Sequence, residues 1–136
     1  MVQLIVGLKG SGKTKTLIEL VNTTVEKTDG AVICVEKYQN LLHAVKYQAR
    51  LVDTDEYKVT TWRALYGFIA GIAASNHDAK DIFVDSLLKI LGNSQEDLIS
   101  FVEAIVPFAE KHEIRLVMTV SIAKETLPES IQQYCV

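Results

Sequence analysis

Cysteine is scarce and poorly placed for cross-linking. Of the two in the chain, Cys34 lies inside an apolar run and Cys135 stands next to the last residue. That is neither a disulfide framework nor a metal-ligand spacing, so reduced thiols in a cytoplasm are expected. His43, His77 and His112 also lack ligand spacing. Proline occurs only twice, and no Pro- or Ser-rich linker, charge block or internal repeat divides the sequence. A single unit over residues 1–136 is the reading. No apolar run approaches the ~20 residues of a membrane span. The apolar stretch Val2 to Val6 has no basic region before it and meets glycine at once, which is too short for a signal peptide. A soluble, cytosolic protein without a membrane segment is expected. Net charge is −3 with the signs interspersed, so there is no strong signal for nucleic-acid binding by counterion release.

What is present is ample apolar material: 49% of 136 residues, enough for a core of its own. Gln3 to Val6 reads as a short strand. Lys15 to Lys27 follows with Leu17, Ile18, Leu20, Val21 and Val25 at helical spacing, and Asp29-Gly30 closes it. Ala31 to Val35 is a strand of the type buried on both faces, and it stops at Glu36. Tyr38 to Gln48 suggests a second helix through Leu41, Leu42 and Val45. Arg50 to Asp53 and Tyr57 to Thr60 read as extended pieces. Thr60 or Thr61 caps a helix through Ala74, and Ile82-Phe83-Val84 is a buried strand finishing at Asp85. Ser94 to Lys111 is a helix, Ile114 to Val120 the last strand, and Leu127-Pro128-Glu129 begins a short terminal helix. Strands alternating with helices predict an α/β fold, a three-layer α/β/α sandwich on a mostly parallel sheet.

The chemical signal is Gly7-Leu8-Lys9-Gly10-Ser11-Gly12-Lys13-Thr14. Its spacing satisfies the P-loop pattern, with a strand before it and an amphipathic helix after it. Glycines let the backbone turn so that its N–H groups and the helix start, Lys15 included, converge on anionic oxygens. Lys13 reaches the β- and γ-phosphates, and the Thr14 hydroxyl is the expected inner ligand of Mg²⁺. A strand-end carboxylate completes such a site. Asp85 is the candidate, with Asp81 a weaker rival, and the alternative for Asp85 is a cap on the Ser86-Leu87 turn. The phosphates are those of a purine nucleoside triphosphate. Neither an Asp-x-x-Gly switch nor an Asn-Lys-x-Asp guanine reader occurs, which leaves ATP by elimination.

With these residues in place the chain resembles the RecA-like branch of P-loop NTPases. Val84-Asp85-Ser86 looks like its Walker B ending, and Ala31 to Glu36 looks like its second strand. The resemblance implies an ATPase in which Glu36 polarises the attacking water; a solvated strand-end residue is the alternative. Leu116 to Ser121 is similar to the family's sensor strand, and Ser121 departs from the glutamine often found there. The resemblance also implies a cation from a neighbouring subunit, hence a homo-oligomer or protein partner, with Lys124 as the candidate and a surface lysine as the alternative. The chain further looks like short stand-alone bacterial P-loop proteins described as ATPases, a label that establishes no pathway.

Two other classes compete. A small-molecule kinase of the nucleoside or nucleotide type shares the loop but needs cations to clamp its acceptor, and Arg50, Arg63 and Arg115 are the only arginines. Asp53 and Asp55 are its candidate acceptor residues, with a turn as the alternative. A non-hydrolysing ATP-binding regulatory subunit is the third reading.

Overall fold

The computed structural model describes all residues from Met1 to Val136. Five strands carry the fold: β1 (Val2–Gly7), β2 (Ala31–Glu36), β3 (Ala49–Asp53), β4 (Ala79–Val84) and β5 (Arg115–Ser121). They form one sheet in the order β1-β5-β4-β2-β3, and every pairing is parallel. Between them run α1 (Lys13–Lys27), α2 (Trp62–Ser75), α3 (Leu87–Ile90) and α4 (Gln95–Lys111), and α5 (Glu129–Gln132) closes the chain. The expected three-layer α/β/α arrangement is therefore present, with a fully parallel sheet.

Alternation along the strands explains the layers. Ile5, Val32, Cys34, Phe83 and Val117 pack with Leu17 and Val21 of α1 on one face. Leu4, Ile33, Val35, Ile82, Val84, Leu116, Met118 and Val120 face the opposite way, onto Leu65 and Ile69 of α2 and Phe101, Val102 and Ile105 of α4. Both faces being covered is what makes the strands near-continuous apolar runs. The predicted caps are also present: Thr61 accepts the amide of Ala64 at 3.1 Å and Ser94 that of Asp97 at 3.2 Å.

Two expectations fail locally. Residues 38–48 form turns, not a helix. Tyr38 takes a left-handed φ of 71°, and the Glu36 carboxylate draws off the amides of Asn40 and Leu41. One turn survives, in which Leu41 accepts the amides of Ala44 and Val45. It still buries Leu41 and Val45, two of the three residues that suggested a helix, and leaves the third, Leu42, exposed. Tyr57 to Thr60 is likewise a turn: Lys58 is left-handed at φ 57° and the amides of Tyr57 and Val59 both return to the carbonyl of Thr54. The short α3 has no counterpart in the sequence reading, since four residues give no period to detect.

Parallel register sets the site. Gly7 pairs with Ser121, Val84 with Met118, Val35 with Val84 and Glu36 with Asp53. The C-terminal ends of all five strands thus share one edge. The chain leaves β1 for the α1 face and leaves β4 for the opposite face, which opens a crevice at that edge. The largest wholly enclosed side chain of α4 is Phe101. Phe101→Ala is expected to cost about 3–5 kcal/mol, because the sheet cannot collapse into the space. Urea unfolding followed by circular dichroism checks this, and a loss of under ~1 kcal/mol would contradict the packing.

Candidate functional site

The crevice is a cleft of about 730 Å³. One wall is the glycine loop and the start of α1: Lys9, Gly10, Gly12, Lys13, Thr14 and Lys15 all line it. Gly7, Leu8 and Ser11 belong to the same loop but do not line the cleft. Two glycines are required by the geometry. Gly12 is the residue before α1 and sits at φ 88°, a left-handed conformation costly for other residues. Gly10 is left-handed as well, at φ 86°. The loop is thus wound tightly where it enters the fifteen-residue α1, whose opening amides have no partner within the helix. The Lys13 ammonium donates to the carbonyl of Leu8 at 3.1 Å.

Asp85, 7% exposed, does not itself line the cleft but is bonded to two residues that do, Thr14 and Ser86. Four groups are hydrogen-bonded to it. The Thr14 hydroxyl donates to Oδ1 at 3.1 Å, the Thr119 hydroxyl donates to the same oxygen at 2.8 Å, and the Ser86 hydroxyl donates to Oδ2 at 3.3 Å. The fourth fixes its backbone, the amide of Asp85 donating to the Val35 carbonyl at 2.9 Å. Thr119 in turn accepts the Ser86 amide at 2.7 Å. A hydroxyl and a carboxylate from residues 71 apart in the chain therefore meet beside the glycine loop. That donor set suits Mg²⁺, which takes few protein oxygens and keeps several waters. No cluster of three His, Cys, Asp or Glu residues exists that would suit a fully protein-caged metal. Asp81 is removed from this point and faces Arg115 at 3.8 Å.

Ser121 lines the cleft. Glu36 does not: it is 2% exposed, and its two oxygens accept the amides of Asn40 at 2.9 Å and Leu41 at 3.2 Å. Burial raises its carboxyl above the ordinary value of 4.5; the amides of Leu41 and Asn40 oppose the rise, and the negative charges of Asp85 and Asp53 add to it. Cys34 beneath it is pushed up to about 12, chiefly by burial and then by Glu36 and Asp85, and is an inert thiol. Asp53 accepts the amides of Tyr38 and Asp55, and Asp55 pairs with Lys37 at 2.7 Å. These are turn-forming roles. Lys124, in the turn Lys124–Thr126, lies outside the cleft, where it opposes the burial that raises the Cys135 thiol.

Sequence reading missed the opposite wall, formed by Ser86, Leu88, Lys89 and Asn93. It also missed Thr119. A lone hydroxyl within the apolar run Leu116 to Val120 was the available signal for Thr119, because a buried hydroxyl needs a partner. For Lys89 the signal was its place one helical turn beyond the residue after Asp85. No protein-family model matches this chain, and no curated protein matches it significantly.

The shifted Glu36 has a thermodynamic consequence. A carboxyl whose pKa is raised on folding favours the protonated form, so the stability it contributes is complete below its unfolded value and is lost as pH rises through its folded value. Glu36→Gln removes that titration. Urea unfolding from pH ~4 to ~8 is expected to show a shallower loss of stability in Glu36→Gln than in the unaltered protein. Parallel curves would mean that Glu36 is not perturbed.

Proposed function

We propose that the chain is a P-loop NTPase with a RecA-like core that binds ATP with Mg²⁺ and hydrolyses it slowly to ADP and phosphate. The observation carrying this reading is the hydrogen bond that joins Thr14, in a cleft lined by the glycine loop and its lysines, to the buried carboxylate of Asp85. Loop amides and the start of α1 hold the phosphate oxygens, and Lys13 exchanges the Leu8 carbonyl for them. Thr14 and Asp85 hold the metal, which offsets charge between the β- and γ-phosphates when bound. Thr119 and Ser86 fix the rotamer of Asp85 and leave it little freedom to reorganise. Glu36 is the chain's candidate for orienting the attacking water, since it ends β2 at the same sheet edge at which Asp85 follows β4.

One observation favours a second reading, a non-hydrolysing ATP-binding subunit. Both Glu36 oxygens already serve backbone amides, so polarising a water would call on their remaining lone pairs. Phosphate release from Mg·ATP separates the two, run with γ-labelled ATP so that transfer to an added acceptor is also visible. Lys13→Ala is expected to weaken ATP binding roughly ten- to a hundredfold and to abolish turnover. Glu36→Gln is expected to bind ATP normally and lose most turnover. Turnover unchanged in Glu36→Gln removes it as base, and tight ATP binding without turnover in the unaltered protein establishes the second reading.

A further inference from the structure

Four lysines, Lys9, Lys13, Lys15 and Lys89, line one cleft of a protein whose net charge is −3. None of them is in an ion pair; the three pairs in the structure join Lys37 to Asp55, Lys46 to Glu26 and Arg115 to Asp81. Three of the four belong to the loop or the first turns of α1. Lys89 alone comes from the opposite wall, in the last turn of α3.

Its resting place is an aromatic ring. The Lys89 ammonium lies 5.5 Å from the centroid of Tyr38, and Lys37 lies 5.0 Å from the same centroid. Lys37 has Asp55 to answer its charge, whereas Lys89 has only the ring. The backbone that carries the ring is fixed, since the Tyr38 amide donates to Asp53 at 2.9 Å and its φ is left-handed, while the ring itself is half exposed. A cation over an exposed ring is held more weakly than one donating to a phosphate oxygen, so an arriving anion would win it.

Which phosphate it would meet follows from the chain. Under the nucleotide-binding reading, Thr14 and Asp85 would hold the metal that offsets charge on the outer phosphates. Ser86 bonds to Asp85, and Lys89 follows in α3, which lines the cleft together with the loop. Lys89 is thus the one cation of the cleft that the loop and α1 do not supply, and the terminal phosphate, which has the most free oxygens, is the group left for it to meet.

We propose that Lys89 leaves the Tyr38 ring to contact the terminal phosphate of a bound nucleoside triphosphate, and so makes the cleft discriminate triphosphate from diphosphate. The inference rests on the nucleotide-binding reading above. It is tested by titrating the full chain, by calorimetry with Mg²⁺, with the β,γ-imido analogue of ATP and separately with ADP. Lys89→Ala is expected to weaken the triphosphate analogue about tenfold while leaving ADP unchanged. Lys89→Arg is expected to restore most of the loss, and Lys37→Ala, outside the cleft and paired with Asp55, to change neither affinity. An unchanged ratio of the two affinities in Lys89→Ala overturns the role of Lys89 while nucleotide binding stands. An equal loss in Lys37→Ala also overturns it, because the effect would then be one of net charge. Absence of binding of either nucleotide by the unaltered protein overturns both readings.

Discussion

A carboxylate that is nearly enclosed at the end of a central strand must be satisfied, and in this protein the way it is satisfied assembles the site. Asp85 ends β4, which lies between β5 and β2 in the sheet. Its partners come from the start of α1, from β5 and from its own neighbour. Removing any one of these hydroxyls would leave a charged oxygen short of a donor in a site with limited water, a penalty larger than the net value of an ordinary hydrogen bond. The network therefore holds the start of α1, and with it the glycine loop, against the strand edge. It joins two connections that leave the sheet on opposite faces and would otherwise be coupled only through the apolar layers.

The same edge holds much of the unusual backbone. Gly12 after β1, Tyr38 after β2 and Ser86 after β4 all adopt left-handed conformations, and two of the three are not glycine. Such residues cost on the order of 1–2 kcal/mol each and persist where the surroundings determine them. Here the determinants are visible: Ser86 is fixed by its amide on Thr119 and its hydroxyl on Asp85, Tyr38 by its amide on Asp53. Tyr38 and Ser86 stand two residues beyond β2 and β4, whereas Gly12 stands five beyond β1, directly before α1.

The fold was largely legible because buried parallel strands announce themselves as apolar runs, as in Ala31 to Val35 and Ile82 to Val84, and because Thr61 and Ser94 cap as their positions suggest. Leu41 and Val45 carried a true message about burial and a false one about helix. Their spacing of four fits one turn as well as several, and what stopped the helix was a buried carboxylate reaching for two amides, a tertiary effect absent from local periodicity. Gly7 to Thr14 could be read from spacing alone because the steric demand on that loop is local. The wall of Ser86, Lys89 and Asn93 could not, because it depends on a four-residue helix placed by Leu87 and Ile90 in the core.

Glu36 shows how structure and chemistry can compete for one side chain. A carboxylate 2% exposed beside another carboxylate is unfavourable by itself. The amides of Asn40 and Leu41 offset part of that cost, and in return the carboxylate organises the turn that carries Tyr38 to the rim of the cleft. Anything that changed the charge on Glu36 would therefore act on two things together, the potential at Asp85 and the geometry of the turn bearing the ring on which Lys89 rests. The strand end at Asp85 and the turn after β2 are linked through that single residue. Its neutral form relieves the repulsion with Asp85, while its charged form binds the amides of Asn40 and Leu41 more strongly.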